Sequence, residues 1–365
     1  KKKKKTLDYF KKINYDHTRA NKKSVFYYLV FFPVVELIGA LSGALIIWYG
    51  GGEAVQGALT IGILISFIQY SEMFFRPIRD LSEKYNIMQT AMASSERIFR
   101  LLDRKAVISD PKHPLELTEC KGIIEFKNVW FAYVKEDYVL KDISFTINRG
   151  EKVAFVGATG AGKSSIMNLI CRFYDSQKGE ITVDGINIKD LRQEELRKNI
   201  GLVVQDIFLF SNSISNNISL NNNKIPEEKI KAAAAAIGID NFINKLPLGY
   251  GQNVKERGVT LSQGERQLIT FARALAYDPR ILILDEATSS VDTHSEILIQ
   301  RAIDKLMEGR TSIIIAHRLS TIQKCDKIIV MHKGEIRETG THQQLLELGG
   351  IYSKLYQLQY KESFV

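Results

Sequence analysis

Polar and apolar positions along this chain follow two different rules. From Val25 to Tyr49 nearly every residue is apolar (VFYYLVFFPVVELIGALSGALIIWY). As a helix rising ~1.5 Å per residue, this run spans ~37 Å, enough to cross a ~30 Å hydrocarbon core with some tilt. Pro33 is tolerable there if neighbouring groups satisfy the freed carbonyl. A second apolar run, Gly57 to Phe75, follows the predicted turn GGGEAVQ, which has no Lys or Arg. Lys11, Lys12, Arg19, Lys22 and Lys23 lie before the pair, and Arg76, Arg79 and Lys84 after it. Excess positive charge stays on the cytoplasmic side, so a hairpin with both ends cytoplasmic is expected, with Trp48 and Tyr49 at the outer interface. The competing arrangement, two buried helices of a soluble protein, needs a partner layer on every side. Glu36 sits near the middle of the first run, where a carboxylate is costly in lipid, so it should face protein or a water-filled path. Beyond Phe75 the apolar positions Ile78, Leu81, Tyr85, Met88 and Met92 continue at helical spacing among charges, predicting one long helix that leaves the membrane.

The segment DRKAVISDPKHPLELTECKG has two prolines and no period, and it predicts a linker over 104–122. From Ile123 the period changes. IIEFKNVWF and DISFTIN predict strands, and KVAFV, IGLVVQ, ILILD and TSIIIA are short apolar runs of the kind parallel strands make when helices cover both faces. Helical segments are expected over 163–173, 227–237, 264–276 and 294–307, and a hairpin around Lys333-Gly334. The class is α/β with antiparallel strands at its start. Domains are expected over 1–103, a membrane part, and 123–365, an α/β part. The Asn-rich stretch SNSISNNISLNNN (211–223) predicts a surface loop.

Composition changes this picture little. The 365 residues suffice for two domains with a substantial core. The formal net charge is +9, but Lys1 to Lys5 supply five of it. The remaining +4 is too weak to suggest a nucleic-acid partner. The lysine run fits contact with anionic lipid or an artefact of the sequence, and nothing patterned around it favours the former. Cys120, Cys171 and Cys325 lie far apart in no metal or disulfide spacing, as suits a reducing compartment, and take no role. No cleavable signal is expected: the apolar run follows a lysine-rich stretch, is too long for a signal core, and lacks a small-residue cleavage site.

Four motifs carry candidate chemistry. GATGAGKSS (157–165), between an apolar strand and a helix, fits the phosphate-loop pattern through Gly157, Gly162, Lys163 and Ser164, with Gly160 in the loop. Such a loop turns backbone N–H groups into one concavity, its lysine adds a mobile positive charge, and its hydroxyl suits Mg²⁺. ILILDE (281–286) puts Asp285 and Glu286 at a strand end, where α/β sheets bind ligands. Two such carboxylates can divide the work of supporting Mg²⁺ and polarising water, or can merely cap the strand. In LSQGERQLITFARAL (261–275), Ser262 and Glu265 form a capping box. With Gly264, the same residues leave a bare helix N-terminus, a second anion site. His317 follows the strand TSIIIA, at the same edge as Asp285, where a histidine is as apt to be structural as functional.

GATGAGKSS, LSQGE, ILILDE and AHRLST, in this order and spacing, strongly resemble the nucleotide-binding domain of ATP-binding cassette (ABC) transporters over residues 123–360. The hairpin, its long helix and ASSERIFRLLD (93–103) are similar to the last two transmembrane helices of an exporter-type half transporter. The resemblance implies a membrane hairpin followed by an α/β P-loop ATPase domain with an antiparallel β subdomain and a helical subdomain. It implies ATP and Mg²⁺ as ligands. The ATP site would comprise Tyr133, stacking on adenine, with Gly157, Thr159, Gly160, Ala161, Gly162, Lys163, Ser164 and Ser165. Ser164, Gln205 and, through water, Asp285 would hold Mg²⁺. Glu286 would be the catalytic base, Gln205 the sensor of the γ-phosphate, and His317 the switch histidine. Ser262, Gln263, Gly264, Glu265 and Asp292 would reach the ATP of a second subunit, and Glu256 would face the coupling helices.

The implied protein is the ATP-binding/permease subunit of an exporter of multidrug or lipid type. It would be multi-pass in the cell (inner) membrane with its nucleotide-binding domain cytoplasmic. Its partners would be membrane lipid, an exported substrate and a second half transporter, identical or different. Exporter halves of this family carry six membrane helices, so a fragment or truncated reading frame is expected. The alternatives are a non-transport ABC ATPase module, against which the apolar run speaks, and a P-loop GTPase or kinase, which gives no reason for LSQGE.

Overall fold

A computed structural model of the protein describes residues 2–285, 293–315 and 319–362. The chain forms two compact units, Lys1–Ala106 and Val107–Val365.

The first unit is a pair of long helices, α1 (Lys2–Val55) and α2 (Ile61–Leu102). Small residues let them approach. Ser42 and Ser71 share a hydroxyl contact of 3.2 Å across the pair, and a Cβ added at Gly50 would stand 2.7 Å from Leu64 Cδ1. Most of the predicted turn is helical: α1 runs through GGGEAV, and the chain reverses only at 56–60. Continuing a formed helix adds one hydrogen bond per residue, which outweighs the weak helix propensity of three glycines. Thr60 caps α2, its hydroxyl accepting from the Ile63 amide. The second helix runs unbroken past Phe75, as its periodicity predicts, and contains Pro77. Among the described residues α1 is long and apolar enough to cross a membrane by length and composition. In α2 the apolar stretch is interrupted by Glu72 and Arg76.

In the second unit the elements are β1 (Ile124–Ala132), β2 (Tyr138–Ile147), β3 (Lys152–Val156), α3 (Lys163–Ile170), β4 (Lys178–Val183), β5 (Ile186–Asn187), α4 (Gln193–Lys198) and β6 (Ile200–Val203). There follow α5 (Ile214–Ser219), α6 (Glu227–Ile237), α7 (Asp240–Ile243), α8 (Gln263–Tyr277), β7 (Ile281–Asp285), α9 (Thr293–Met307) and β8 (Thr311–Ile315). The unit closes with α10 (Leu319–Ile322), β9 (Lys327–His332), β10 (Glu335–Gly340), α11 (His342–Glu347) and α12 (Ile351–Glu362).

Two sheets organise these elements. An antiparallel sheet has the order β2-β1-β4-β5, and a six-stranded sheet the order β10-β9-β3-β8-β7-β6. In the latter only β10 is antiparallel, turning back from β9 at Lys333-Gly334 as predicted. Both turn residues have positive φ (+50° and +83°), the backbone that a two-residue hairpin loop requires. The large sheet is covered on both faces, which is why its parallel strands carry runs of consecutive apolar residues. Leu282, Leu284 and Ile314 enter the core built with α5, α6, α8 and α9. Their neighbours Ile281, Ile283 and Ile313 enter the core shared with α3 and the antiparallel sheet, around Phe126 and Phe155.

One predicted loop is ordered instead. Within 211–223, residues Ile214–Ser219 form α5. Ser213 caps it, its hydroxyl accepting from the Asn216 amide. Asn217 is fully buried, and its amide side chain accepts from Phe210 N at 2.8 Å and donates to Phe210 O at 3.0 Å. Asparagine suggests a loop because its side chain imitates backbone, and here that imitation holds a loop against a helix. The segment 107–122 has neither helix nor strand. It is nonetheless fastened along the second unit: Leu115 N donates to Asp190 O, Arg172 to Ser109 O, and Lys121 and Ile123 amides to the Asp184 carboxylate.

Candidate nucleotide site

Strand order decides which chemistry meets. The parallel strands β3, β8, β7 and β6 all end at one edge of the large sheet. Phe155 of β3 pairs with Ile315 of β8, Ile315 with Asp285 of β7, and Leu284 of β7 with Val203 of β6. The phosphate loop leaves β3 at this edge, Asp285 ends β7 there, and Gln205 stands exposed two residues beyond β6. Glu286, Asp292 and His317 lie outside the described residues.

The loop is shaped by contacts that leave no room for side chains. A Cβ at Gly157 would run into the carbonyl oxygen of Met331. Gly162 has φ +104°, and its Cβ would stand 2.6 Å from Leu140 Cδ2. The tip of the β9–β10 hairpin braces the loop from outside, Gly334 N donating to Ala161 O at 3.2 Å. Among the described residues, the amides of Thr159, Gly160, Gly162, Lys163 and Ser164 make no backbone hydrogen bond. Free amides at the start of a helix, with the helix's positive end behind them, form an anion cradle. Lys163 is buried, at 7% exposure, and its ammonium donates to the carbonyls of Gly157 (2.7 Å) and Ala158 (3.2 Å). Burial lowers its pKa, and the Asp285 carboxylate partly offsets that shift. This donor set fits polyphosphate. The oxygen groups of Ser164, Gln205 and Asp285 are of the hard type that suits Mg²⁺.

Tyr133, one residue past β1, is brought to the phosphate-loop helix. Its hydroxyl lies 3.1 Å from Ser165 Oγ and accepts from Asn168 Nδ2 at 3.0 Å. Asn168 carries no signal in the sequence, since an asparagine inside a helix belongs to no motif. Ser262 caps α8 with the full capping box: the Glu265 amide donates to Ser262 Oγ at 3.3 Å, and Ser262 N to the Glu265 carboxylate at 2.7 Å. Ser262 and Gln263 are exposed, Glu265 is half-buried and Gly264 is buried. Glu256 is exposed in a short 3-10 turn, Glu256–Gly258. The three cysteines are buried, Cys325 Sγ donating to the Thr321 carbonyl at 3.3 Å, and burial pushes the thiols of Cys120 and Cys171 up to about 12.

An anion cradle at a strand-to-helix turn, with the carboxylate end of β7 two strands away at the same sheet edge, defines a P-loop nucleotide-binding protein, and a helix long and apolar enough to cross a membrane precedes it in the chain. Residues 140–289 match the family described as ABC transporter, and residues 1–78 the ABC transporter transmembrane region. The chain belongs to the ABC transporter family. It is 44% identical over 359 residues to the "Probable multidrug resistance ABC transporter ATP-binding/permease protein YheH" of Bacillus subtilis (strain 168), covering 98% of this chain and 53% of that protein. It is 44% identical over 333 residues to the ATP-dependent lipid A-core flippase of Syntrophus aciditrophicus (strain SB), covering 91% and 55%. Its fold matches the structure of a bacterial Atm1-family ABC exporter with ATP bound, with a TM-score of 0.68 at 36% identity over 89% of this chain and 56% of that one. The chain thus spans about half the length of the curated relatives it matches. Family membership makes it an ATP-binding protein of the ATPase class. It also places the chain in the cell (inner) membrane, with the nucleotide-binding domain on the cytoplasmic side.

Proposed function

We propose that the chain belongs to an exporter that binds and hydrolyses ATP at sites shared between two nucleotide-binding domains. The domain begins at 123, the membrane part ends at 103, and 104–122 joins them. The observation that carries this reading is the common edge of β3, β7 and β6, which gathers the phosphate loop, Asp285 and Gln205.

The amides of Gly160, Gly162, Lys163 and Ser164 take phosphate oxygens, with Thr159 and Ala161 shaping the turn. The Lys163 ammonium exchanges the Gly157 and Ala158 carbonyls for the outer phosphates, and the Tyr133 ring stacks on the base. Ser164, Gln205 and, through water, Asp285 would hold Mg²⁺. The ion, when bound, neutralises charge on the phosphate oxygens. Glu286, next after β7, takes a proton from the attacking water, and His317, beyond β8, holds the outer phosphate.

The capped N-terminus of α8, with Ser262, Gln263, Gly264 and Glu265, serves the partner's nucleotide, as does Asp292. Closure of two such domains moves the membrane helices, through Glu256 and the coupling helices, and hydrolysis resets them. The drug and lipid substrates in the relatives' names favour an amphipathic cargo.

Mixing two defective proteins tests the shared site. Lys163→Ala disables a chain's own cradle, and Ser262→Arg blocks the helix end offered to the partner. Each variant alone has two broken sites in a homodimer. A mixed dimer gathers both lesions in one site and leaves the other intact. ATPase activity should reappear on mixing the reconstituted proteins. Absence of recovery, with mixed dimers shown to form, would refute independent turnover at a shared site in a homodimer.

A further inference from the structure

The Tyr133 ring is held from more sides than a surface aromatic needs. It is 45% exposed and belongs to the loop joining β1 and β2. An exposed tyrosine supported only by packing turns among staggered χ1 wells. Here Phe131 and Tyr174 stand nearly perpendicular to the ring, with centroids 4.7 and 4.9 Å away. The hydroxyl, at the far end of the lever, is fixed as well, by Ser165 (3.1 Å) and Asn168 (3.0 Å). These two residues are three apart and therefore share one face of α3. That helix begins at Lys163, so the groups that hold the ring and those that cradle phosphate are built on the same turns. A phenol has one proton and two lone pairs, and two of these three are engaged.

We infer that Asn168, with Ser165, is a positioning residue for the base end of the nucleotide: it locks the Tyr133 hydroxyl to the phosphate-loop helix, so that base platform and phosphate cradle form one preset frame. The inference rests on the proposed stacking of Tyr133 on the base. Its energetic content is conformational. If the ring is released, only a fraction of molecules present it correctly, and apparent affinity falls by that fraction. The phosphate end is untouched, because neither Asn168 nor the Tyr133 hydroxyl contributes to the cradle.

The test compares equilibrium binding of ATP with that of tripolyphosphate, which has the phosphates but no base, to the full chain in detergent. Tyr133→Phe keeps the ring and removes the hydroxyl, Asn168→Ala removes its donor, and Tyr133→Ala removes the ring. The first two should each weaken ATP by about 2- to 10-fold, the range of one lost hydrogen bond, and leave tripolyphosphate unchanged. Their double variant should be no worse than Tyr133→Phe, which already removes the hydroxyl that Asn168 and Ser165 hold. Tyr133→Ala should weaken ATP further, with tripolyphosphate again unchanged. If Tyr133→Phe and Asn168→Ala bind ATP like the parent while Tyr133→Ala does not, the lock is overturned and the stacking stands. If Tyr133→Ala binds ATP like the parent, the stacking itself falls. If Asn168→Ala weakens ATP and tripolyphosphate alike, Asn168 only supports α3 and the inference is wrong. Should Asn168→Ala fail to fold, Tyr133→Phe carries the same comparison.

Discussion

Replacing Lys163 by Met keeps the length and apolar stem of the side chain and deletes its charge. In the ligand-free protein the ammonium is buried at 7% exposure and bound to the carbonyls of Gly157 and Ala158. Burial disfavours the charged form there, lowering the lysine's pKa. The charge is therefore poorly rewarded until phosphate arrives, and removing it should shift the melting temperature by no more than a few degrees. With polyphosphate in the cradle, the same ammonium makes a charge-assisted hydrogen bond, a type that contributes about 1.5–3 kcal/mol. At ~1.4 kcal/mol per decade, the loss is about 10- to 150-fold in affinity for ATP. Calorimetric titration of ATP into the purified variant measures it directly. An affinity within twofold of the parent, in protein that melts normally, would refute the placement of Lys163 against the phosphates.

Three further outcomes are expected. Glu286→Gln should retain ATP binding and lose hydrolysis by about 10²–10⁴-fold, the range for a missing general base; near-normal turnover in a dimerised sample would remove Glu286 from that role. Asn217→Ala strips the buried partner from Phe210 N and O, which should cost about 1–3 kcal/mol. At roughly 2–4 °C per kcal/mol for a domain of this size, the drop in melting temperature is about 2–12 °C, and an unchanged melt would show the network to be dispensable. Glu151 gives a pH dependence. Burial raises its pKa, but the Asn148 amide and the Lys327 ammonium, 2.6 Å away, outweigh burial and leave it below its ordinary 4.5. A depressed carboxylate stabilises the fold above its unfolded value and loses that contribution as pH falls through the folded one. Glu151→Gln should therefore melt below the parent near neutrality, and the gap should close in acid; a gap independent of pH would contradict this.

Period and punctuation determined much of this protein. The run Val25–Tyr49 could hardly be anything but a long helix, because so many consecutive apolar residues have no other way to satisfy their backbone. The parallel strands of the large sheet were legible for the opposite reason: they are short runs of consecutive apolar residues separated by helical stretches. GATGAGKSS named its ligand class, because a glycine turn before a helix N-terminus binds anions through backbone alone. What the sequence could not give is what depends on strand order and on contacts across it. Asp285 and Lys163 are over a hundred residues apart, and only the adjacency of β8 to both β3 and β7 brings their charges together. Met331 and Gly334, at the far end of the domain, set the floor and brace of the phosphate loop. The Asn-rich stretch predicted a loop, and α5 forms because Asn217 finds the Phe210 backbone to bond. Asn168 is invisible in one dimension, since its partner is a tyrosine hydroxyl 35 residues back along the chain. Local pattern fixes elements because backbone hydrogen bonding and side-chain period are near-neighbour effects. A site is assembled by long-range pairing, whose register appears only once the sheet has closed.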